Sequence, residues 1–256
     1  MRRVKLTVAY DGASFHGFAE NDGVRTVMGA LRDAVEKVVR GHVDLVGAGR
    51  TDAGVHGWGQ VVSGDLPDDT DLEALVRRVN RMCSPAVVAR AAEWAAAPDF
   101  SARFSATWRH YRYDVWNAPQ PNPFLASTSW HVVHPLSLPT LRLACDPLIG
   151  EHDFSSFCRR PKPVEGHADA SMARRVMVAR WSEVGSDHGA GLLRFEIRAN
   201  AFCHQMVRSI VGTMVDAGSG RLHAGDIRGI LLARDRRAAG QVAPPHGLCL
   251  WEVGYD

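Results

Sequence analysis

A chain of 256 residues, 46% hydrophobic and 23% charged, is long enough for one large domain or two small ones with a sizeable core. No run reaches the roughly 18 to 20 apolar residues of a membrane span, and MRRVKLTVAYDG opens without the apolar run and cleavage site of a signal peptide; a cytoplasmic protein with no membrane partner is expected. The formal net charge is only +2, yet Lys5, Lys37 and Lys162 are the only lysines among 30 basic residues. A GC-rich genome gives the same bias, but arginine also suits bidentate phosphate contacts and stacking on bases, so a nucleic-acid partner stays open. The five cysteines, Cys83, Cys145, Cys158, Cys203 and Cys249, are scattered with no CxxC pair, which argues against a disulfide framework. His152, Cys158 and His167 are near in sequence but lack the tight paired spacing of zinc ligands, so no metal is expected.

In chain order, KLTVAY alternates and ends at the turn signal Asp11-Gly12, so it reads as a strand. From the N-cap residue Thr26 the period becomes helical, with Val27, Leu31, Val35 and Val38 on one face. DLVGAGR and GQVVSG are short strand candidates flanking a glycine-rich stretch. Thr70 and Glu73 have the spacing of a capping box, and the helix after them carries Leu72, Leu75, Val76 and Val79 on one side. AVVARAAEW reads as the next strand.

In the second half RHYRYDVWN alternates strongly, and LPTLRLACDPLIG reads as a helix ending near Pro147. VMVARWSEVG and LLRFEIRAN form a hairpin across Ser-Asp-His-Gly. FCHQMVRSIVGTMVDAG is a long helix with Phe202, Met206, Ile210 and Met214 in register, DIRGILLARD a second helix, and LCLWEVGYD a closing strand. RRPKPVEGHADASM, with two prolines and no periodicity, reads as a mobile loop. The expected class is therefore α+β: two structurally similar subdomains, residues 1–105 and 106–256, each a mixed, mainly antiparallel sheet flanked by helices. An active-site cleft between them is the natural expectation, since sites favour domain interfaces.

Between the first two short strand candidates runs GAGRTDAGVHGWGQ. Its glycines permit positive φ and close backbone approach. Neither GxxxxGK[ST] nor GxGxxG occurs in it, so a phosphate cradle and a dinucleotide fingerprint are set aside. A tight turn with Arg50 and Asp52 as a local ion pair is the purely structural reading. The stretch is more specific than that. Gly49-Arg50-Thr51-Asp52-Ala53-Gly54-Val55-His56 resembles the GRTDxGVH signature of the tRNA pseudouridine synthase A family, and Gln60 matches the glutamine that follows it.

Further matches span nearly the whole chain. Tyr10-Asp11-Gly12 resembles the family's opening strand and turn, and Phe104-Ser105-Ala106-Thr107 with Tyr111-Arg112-Tyr113 its FSAT…YRY segment. Asn200-Ala201-Phe202 leading to Met206-Val207-Arg208 resembles NAFxxxMVR, and Ala243-Pro244-Pro245 with Gly247-Leu248 resembles APPxGL. Departures cluster in the first half: Gly17-Phe18-Ala19 stands for the usual Gly-Trp-Gln, Thr26-Val27-Met28 for Thr-Val-Gln, and Met82-Cys83-Ser84-Pro85 for a Leu-Pro turn.

The resemblance implies an isomerase that converts uridine to pseudouridine in the anticodon stem-loop of tRNA, at positions 38, 39 and 40, without a cofactor or metal. By resemblance Asp52 is the essential carboxylate and Tyr111 the tyrosine that stacks on the extruded uracil and shares in proton transfer. Arg208 is then the salt-bridge partner of Asp52, Arg50 accompanies the flipped-out base, and Leu248 packs beneath it. A homodimer with one tRNA spanning both subunits is also implied. The residues alone say less. Arg208 sits on a helix rich in Met206, Val207, Ile210 and Met214, where a charge needs a partner or a route to solvent. Tyr111 and Tyr113 share one strand face, and Leu248 reads as a buried strand residue. Arg109, Arg112, Arg174 and Arg175 are candidates for RNA-backbone contacts. Two rivals stay open: a catalytically reduced RNA-binding paralogue of the same fold, and a glycoside hydrolase, which would want a second carboxylate that the signature lacks.

Overall fold

The computed structural model describes residues 1–160, 171–185 and 189–255. In chain order its elements are β1 (Arg2–Tyr10), α1 (Val27–Val39), β2 (Val46–Gly47), β3 (His56–Leu66), α2 (Leu72–Cys83), β4 (Val87–Trp94), β5 (Trp108–Asn117), β6 (Trp130–Val132), α3 (Leu138–Leu143), β7 (Gly150–Asp153), β8 (Ala173–Val184), β9 (Leu192–Ala199), α4 (Met206–Gly218), α5 (Asp226–Ala233) and β10 (Leu248–Gly254). The chain groups into two compact units, Met1–Trp108 with Cys249–Asp256, and Arg109–Leu248. The α+β class is observed in each.

In the first unit the strand order is β4-β1-β3-β10. Alternation in β1 turns Val4, Leu6 and Val8 inward, and antiparallel pairing sets Leu6 opposite Val62 of β3. Leu31 and Val35 of α1 and Leu75 and Val79 of α2 close the core over that face. The edge of β3 away from β1 is shared. β2 pairs with it at Val62 and Ser63, and β10 runs parallel to it at His56 and Gly57. The strand predicted over DLVGAGR thus shrinks to two residues, because the chain then leaves the sheet to form the glycine-rich loop. Thr26 caps α1 as expected, its hydroxyl accepting from the Gly29 amide at 3.2 Å. The cap of α2 is not Thr70 but Asp71, whose carboxylate accepts from the Ala74 amide at 3.0 Å. A carboxylate also complements the positive end of the helix dipole, which a hydroxyl does not.

In the second unit the order is β5-β9-β8-β7, all antiparallel, with the short β6 parallel to the other edge of β5. Tyr111, Tyr113 and Val115 of β5 face inward with Phe195 and Ile197 of β9. The helix expected from Phe202 starts only at Met206, because Gln205 adopts a left-handed φ of 64°. Phe202 is thereby released from the helix. α3 stops at Leu143, and a 3-10 turn over Asp146–Leu148 follows, in keeping with Pro147, which has no amide to donate to a continuing helix. β8 and β9 pair as the predicted hairpin strands. The tip at residues 186–188 and the 161–170 part of the predicted mobile loop lie outside the described residues. No described helix is long and apolar enough to cross a membrane.

α4 is nearly all buried and is strapped by the segment that follows α5. The Gly240 amide donates to Thr213 Oγ1 at 2.9 Å, and the Ala243 amide to the Arg208 carbonyl at 3.1 Å. At the crossing, a Cβ added to Gly212 would lie 1.9 Å from the Gln241 carbonyl oxygen. Replacing a helical glycine by alanine ordinarily gains about 1 kcal/mol. Gly212→Ala should instead lose about 1–3 kcal/mol through overpacking, measured as a lowered midpoint in thermal melting; a raised midpoint would refute the close crossing.

Candidate active site

The loop from Ala48 to Val55 is held at Ala48, Gly49, Thr51, Asp52 and Val55. The Ala48 amide donates to the Val61 carbonyl at 2.8 Å. Gln60, fully buried at the start of the core, donates its Nε2 to the Gly49 carbonyl at 2.9 Å. Thr51 shares a buried hydroxyl–hydroxyl hydrogen bond with Tyr10 at 2.8 Å, and its carbonyl accepts from the Phe18 amide at 3.1 Å. The Val55 amide then donates to the Asp52 carbonyl at 3.1 Å, with Gly54 at φ 78°, which is the arrangement of a type II turn. Asp52 stands at the first position of that turn with a half-buried side chain.

The flanking glycines have a common purpose. A Cβ on Gly12 would lie 2.1 Å from the Val55 carbonyl oxygen, and Gly17, at φ 103°, packs against the Thr51 carbonyl. The turn after β1 is thus pressed directly onto the loop backbone. His56 Nδ1 lies 3.2 Å from the Gly12 amide and 3.1 Å from Asp11 Oδ1. Its acceptance from the Gly12 amide ties the loop's exit to the same turn. Arg50 is exposed, and no Arg50–Asp52 ion pair occurs among the described residues. Phe18 is buried against Gly47 and braces Thr51 through its amide.

The other predicted site residues belong to the second unit. Tyr111 is 8% exposed, and its ring meets Phe202 edge-on, with centroids 4.9 Å apart at 83°. Tyr113, on the same strand face, is fully buried and donates its hydroxyl to the Pro244 carbonyl at 2.8 Å. Burial pushes its phenol far above the usual range, and the charge of Arg208 opposes that shift. Tyr113 is therefore a neutral structural donor. Arg208 is half-buried, and its Nε donates to the Ala243 carbonyl at 2.8 Å. The segment matching APPxGL thus orients one side of this guanidinium. Leu248 is buried at the first position of β10, directly after the 3-10 turn Pro245–Gly247.

Of the four arginines considered for RNA, Arg112 is already engaged. Its Nε donates to Glu196 Oε1 at 2.9 Å, and Arg180 Nε reaches Glu196 Oε2 at 2.8 Å. Burial alone would raise the Glu196 carboxyl, but Arg180, Arg112 and His110 outweigh it and the net shift is downward. Arg109 donates to the Asn200 carbonyl at 2.9 Å and Arg174 to the Ser171 carbonyl at 2.8 Å, while Arg175 is exposed. Among the described residues no group of three or more His, Cys, Asp or Glu side chains could hold a metal ion; His167 lies outside them. Sequence reasoning missed Tyr10, Phe202 and Pro244 as supports, because each acts only through a partner distant in the chain.

A family model described as tRNA pseudouridine synthase matches residues 144–256. The tRNA pseudouridine synthase A of Bacillus velezensis is 37% identical over 256 residues, with 99% of both chains covered. That of Frankia casuarinae is 41% identical over 258 residues, covering 99% of this chain and 89% of the relative. That of Bacillus subtilis is 36% identical, again with 99% of both chains covered. Similarity of that extent, running through the braced Asp52 loop as well as the second unit, means that the chain belongs to the tRNA pseudouridine synthase A family.

Proposed function

We propose that this protein isomerises uridine to pseudouridine in the anticodon stem-loop of tRNA, at positions 38, 39 and 40, with Asp52 as the essential carboxylate. The observation that carries this reading is the Asp52 turn. Its backbone is fixed by Thr51, Gln60 and Gly54, and a reaction without cofactor depends on such preorganisation. The reaction breaks the N-glycosidic bond and rejoins the base through carbon; a proton leaves carbon and one returns to nitrogen, so nothing else is consumed. In this reading Tyr111 stacks on the extruded uracil and its hydroxyl shares in proton transfer. Arg208 supplies the charge that balances the carboxylate, a role supported by its fixed orientation on the Ala243 carbonyl. Arg50 accompanies the flipped-out base and Leu248 packs beneath it. In the same reading the protein is a cytoplasmic homodimer with one tRNA spanning both subunits.

The test is incubation with unmodified tRNA transcripts and mapping of pseudouridine along each one. Pseudouridine at positions 38 to 40 is expected. Binding without conversion would favour the catalytically reduced paralogue, and release of free uracil a hydrolase. EDTA should leave the rate unchanged. Strong inhibition that zinc or magnesium reverses, with the RNA structure intact, would overturn the cofactor-free mechanism.

A further inference from the structure

All five cysteines are free thiols, and two of them meet. Cys158 follows the 3-10 turn Ser155–Phe157, and Cys203 lies in the turn that enters α4. The residues just after them are bonded backbone to backbone, the Arg159 amide donating to the His204 carbonyl at 3.0 Å. Their side chains act on one another electrostatically, and the charge of Arg174 on β8 acts on both. Cys158 is 1% exposed, whereas Cys203 is half-buried. Cys203 is also joined to Phe202, whose ring packs on Tyr111.

We propose that Cys158 and Cys203 are a peroxide-oxidisable dithiol, a modification site whose disulfide displaces Phe202 and so throttles Tyr111. The roles divide by environment. The neighbouring Cys158 and Arg174 draw the Cys203 thiol down to about 7, against the opposing effect of burial. Contact with Cys203 and burial both push Cys158 up. A low-pKa, accessible thiolate beside a protected partner is the arrangement that oxidation selects. Burial raises the thiols of Cys83 and Cys145 instead.

The Cys203 thiolate attacks one peroxide oxygen; the O–O bond breaks, hydroxide leaves and is protonated to water, and Cys203 becomes a sulfenic acid. The Cys158 thiol gives up its proton and attacks the Cys203 sulfur; the S–O bond breaks, a second water leaves, and the S–S bond forms. Two thiols are oxidised and one peroxide is reduced to two waters. An external dithiol reverses the bond by exchange.

The experiment treats the reduced full-length protein with hydrogen peroxide, alkylates the remaining thiols and maps the peptides by mass spectrometry. The expected product is a Cys158–Cys203 cross-link, lost on adding dithiothreitol. Cys203→Ser should abolish it, and Cys158→Ser should stop at a sulfenic acid on Cys203 that dimedone traps. Independently of any oxidation, iodoacetamide labelling of Cys203 should be half-maximal near pH 7, and Arg174→Gln should move that midpoint upward. Cys158 and Cys203 both remaining alkylatable after peroxide, or labelling of Cys203 with an ordinary thiol midpoint, would overturn the proposal. The effect on Tyr111 rests on the proposed function and is read separately: the cross-linked protein should lose about tenfold or more in turnover, as small displacements at a reacting centre do, and regain it on reduction. A verified cross-link with unchanged turnover removes the link to Tyr111. An inactive reduced protein counts against the isomerase reading and leaves the dithiol standing.

Discussion

Asp52→Asn should abolish isomerisation while leaving the fold and tRNA binding nearly intact. The reason lies in how the loop is held. It is the Asp52 carbonyl, not its side chain, that closes the turn onto Val55, and the neighbouring anchors are Tyr10 on Thr51 and Gln60 on Gly49. An amide of the same size leaves those backbone anchors in place, so the fold should persist. What is lost is the charge and the lone pair that a nucleophile or base needs. The measurement is single-turnover conversion of a tRNA transcript beside a binding isotherm and a melt. A variant keeping more than about a tenth of wild-type turnover would remove Asp52 from the central role, because a tenth corresponds to only about 1.4 kcal/mol of barrier. A fall in melting midpoint together with the rate would mean that the side chain holds the loop after all.

The legible parts of this molecule are those written in short-range pattern. Alternation found β1, β4 and β5, and helical period found α1, α2 and α5, because burial of one face is a local demand on the sequence. β6 and β7 escaped notice, since strands of three and four residues carry too few positions to show a period. The start of α4 was placed too early because Phe202 keeps the helical spacing; only the left-handed Gln205 shows that it does not share the helix. At the candidate site, the signature points to Asp52 and takes in Gln60, but nothing local marks the more distant braces. Tyr10 reaches Thr51 across 41 positions, and Arg208 finds Ala243 across 35. The same distance hides the part that Phe18 plays: its support of Thr51 runs through the backbone amide, which any residue but proline supplies.

Tyr111→Phe should keep tRNA affinity and lower turnover by about a hundredfold or more, the usual weight of a general acid or base. The ring survives, and with it stacking worth roughly 1–3 kcal/mol per base. Its edge-on contact with Phe202 also survives, since that contact uses the ring and not the hydroxyl. Tyr111→Ala should lose both affinity and rate. Tyr113→Phe is the sharper control. Its hydroxyl is spent on the Pro244 carbonyl, in the segment that also orients Arg208. Removing it leaves the half-buried Pro244 carbonyl without this donor, so the variant should lose about 1 kcal/mol of stability and still convert tRNA at the wild-type rate below its melting range. Saturating single-turnover assays and tRNA binding for the three variants, each paired with a thermal melt, separate these outcomes. Near-normal conversion by Tyr111→Phe would confine Tyr111 to stacking. A large loss of rate in Tyr113→Phe, with Tyr111→Phe unaffected, would move the proton transfer to Tyr113 and leave Tyr111 as the packing residue.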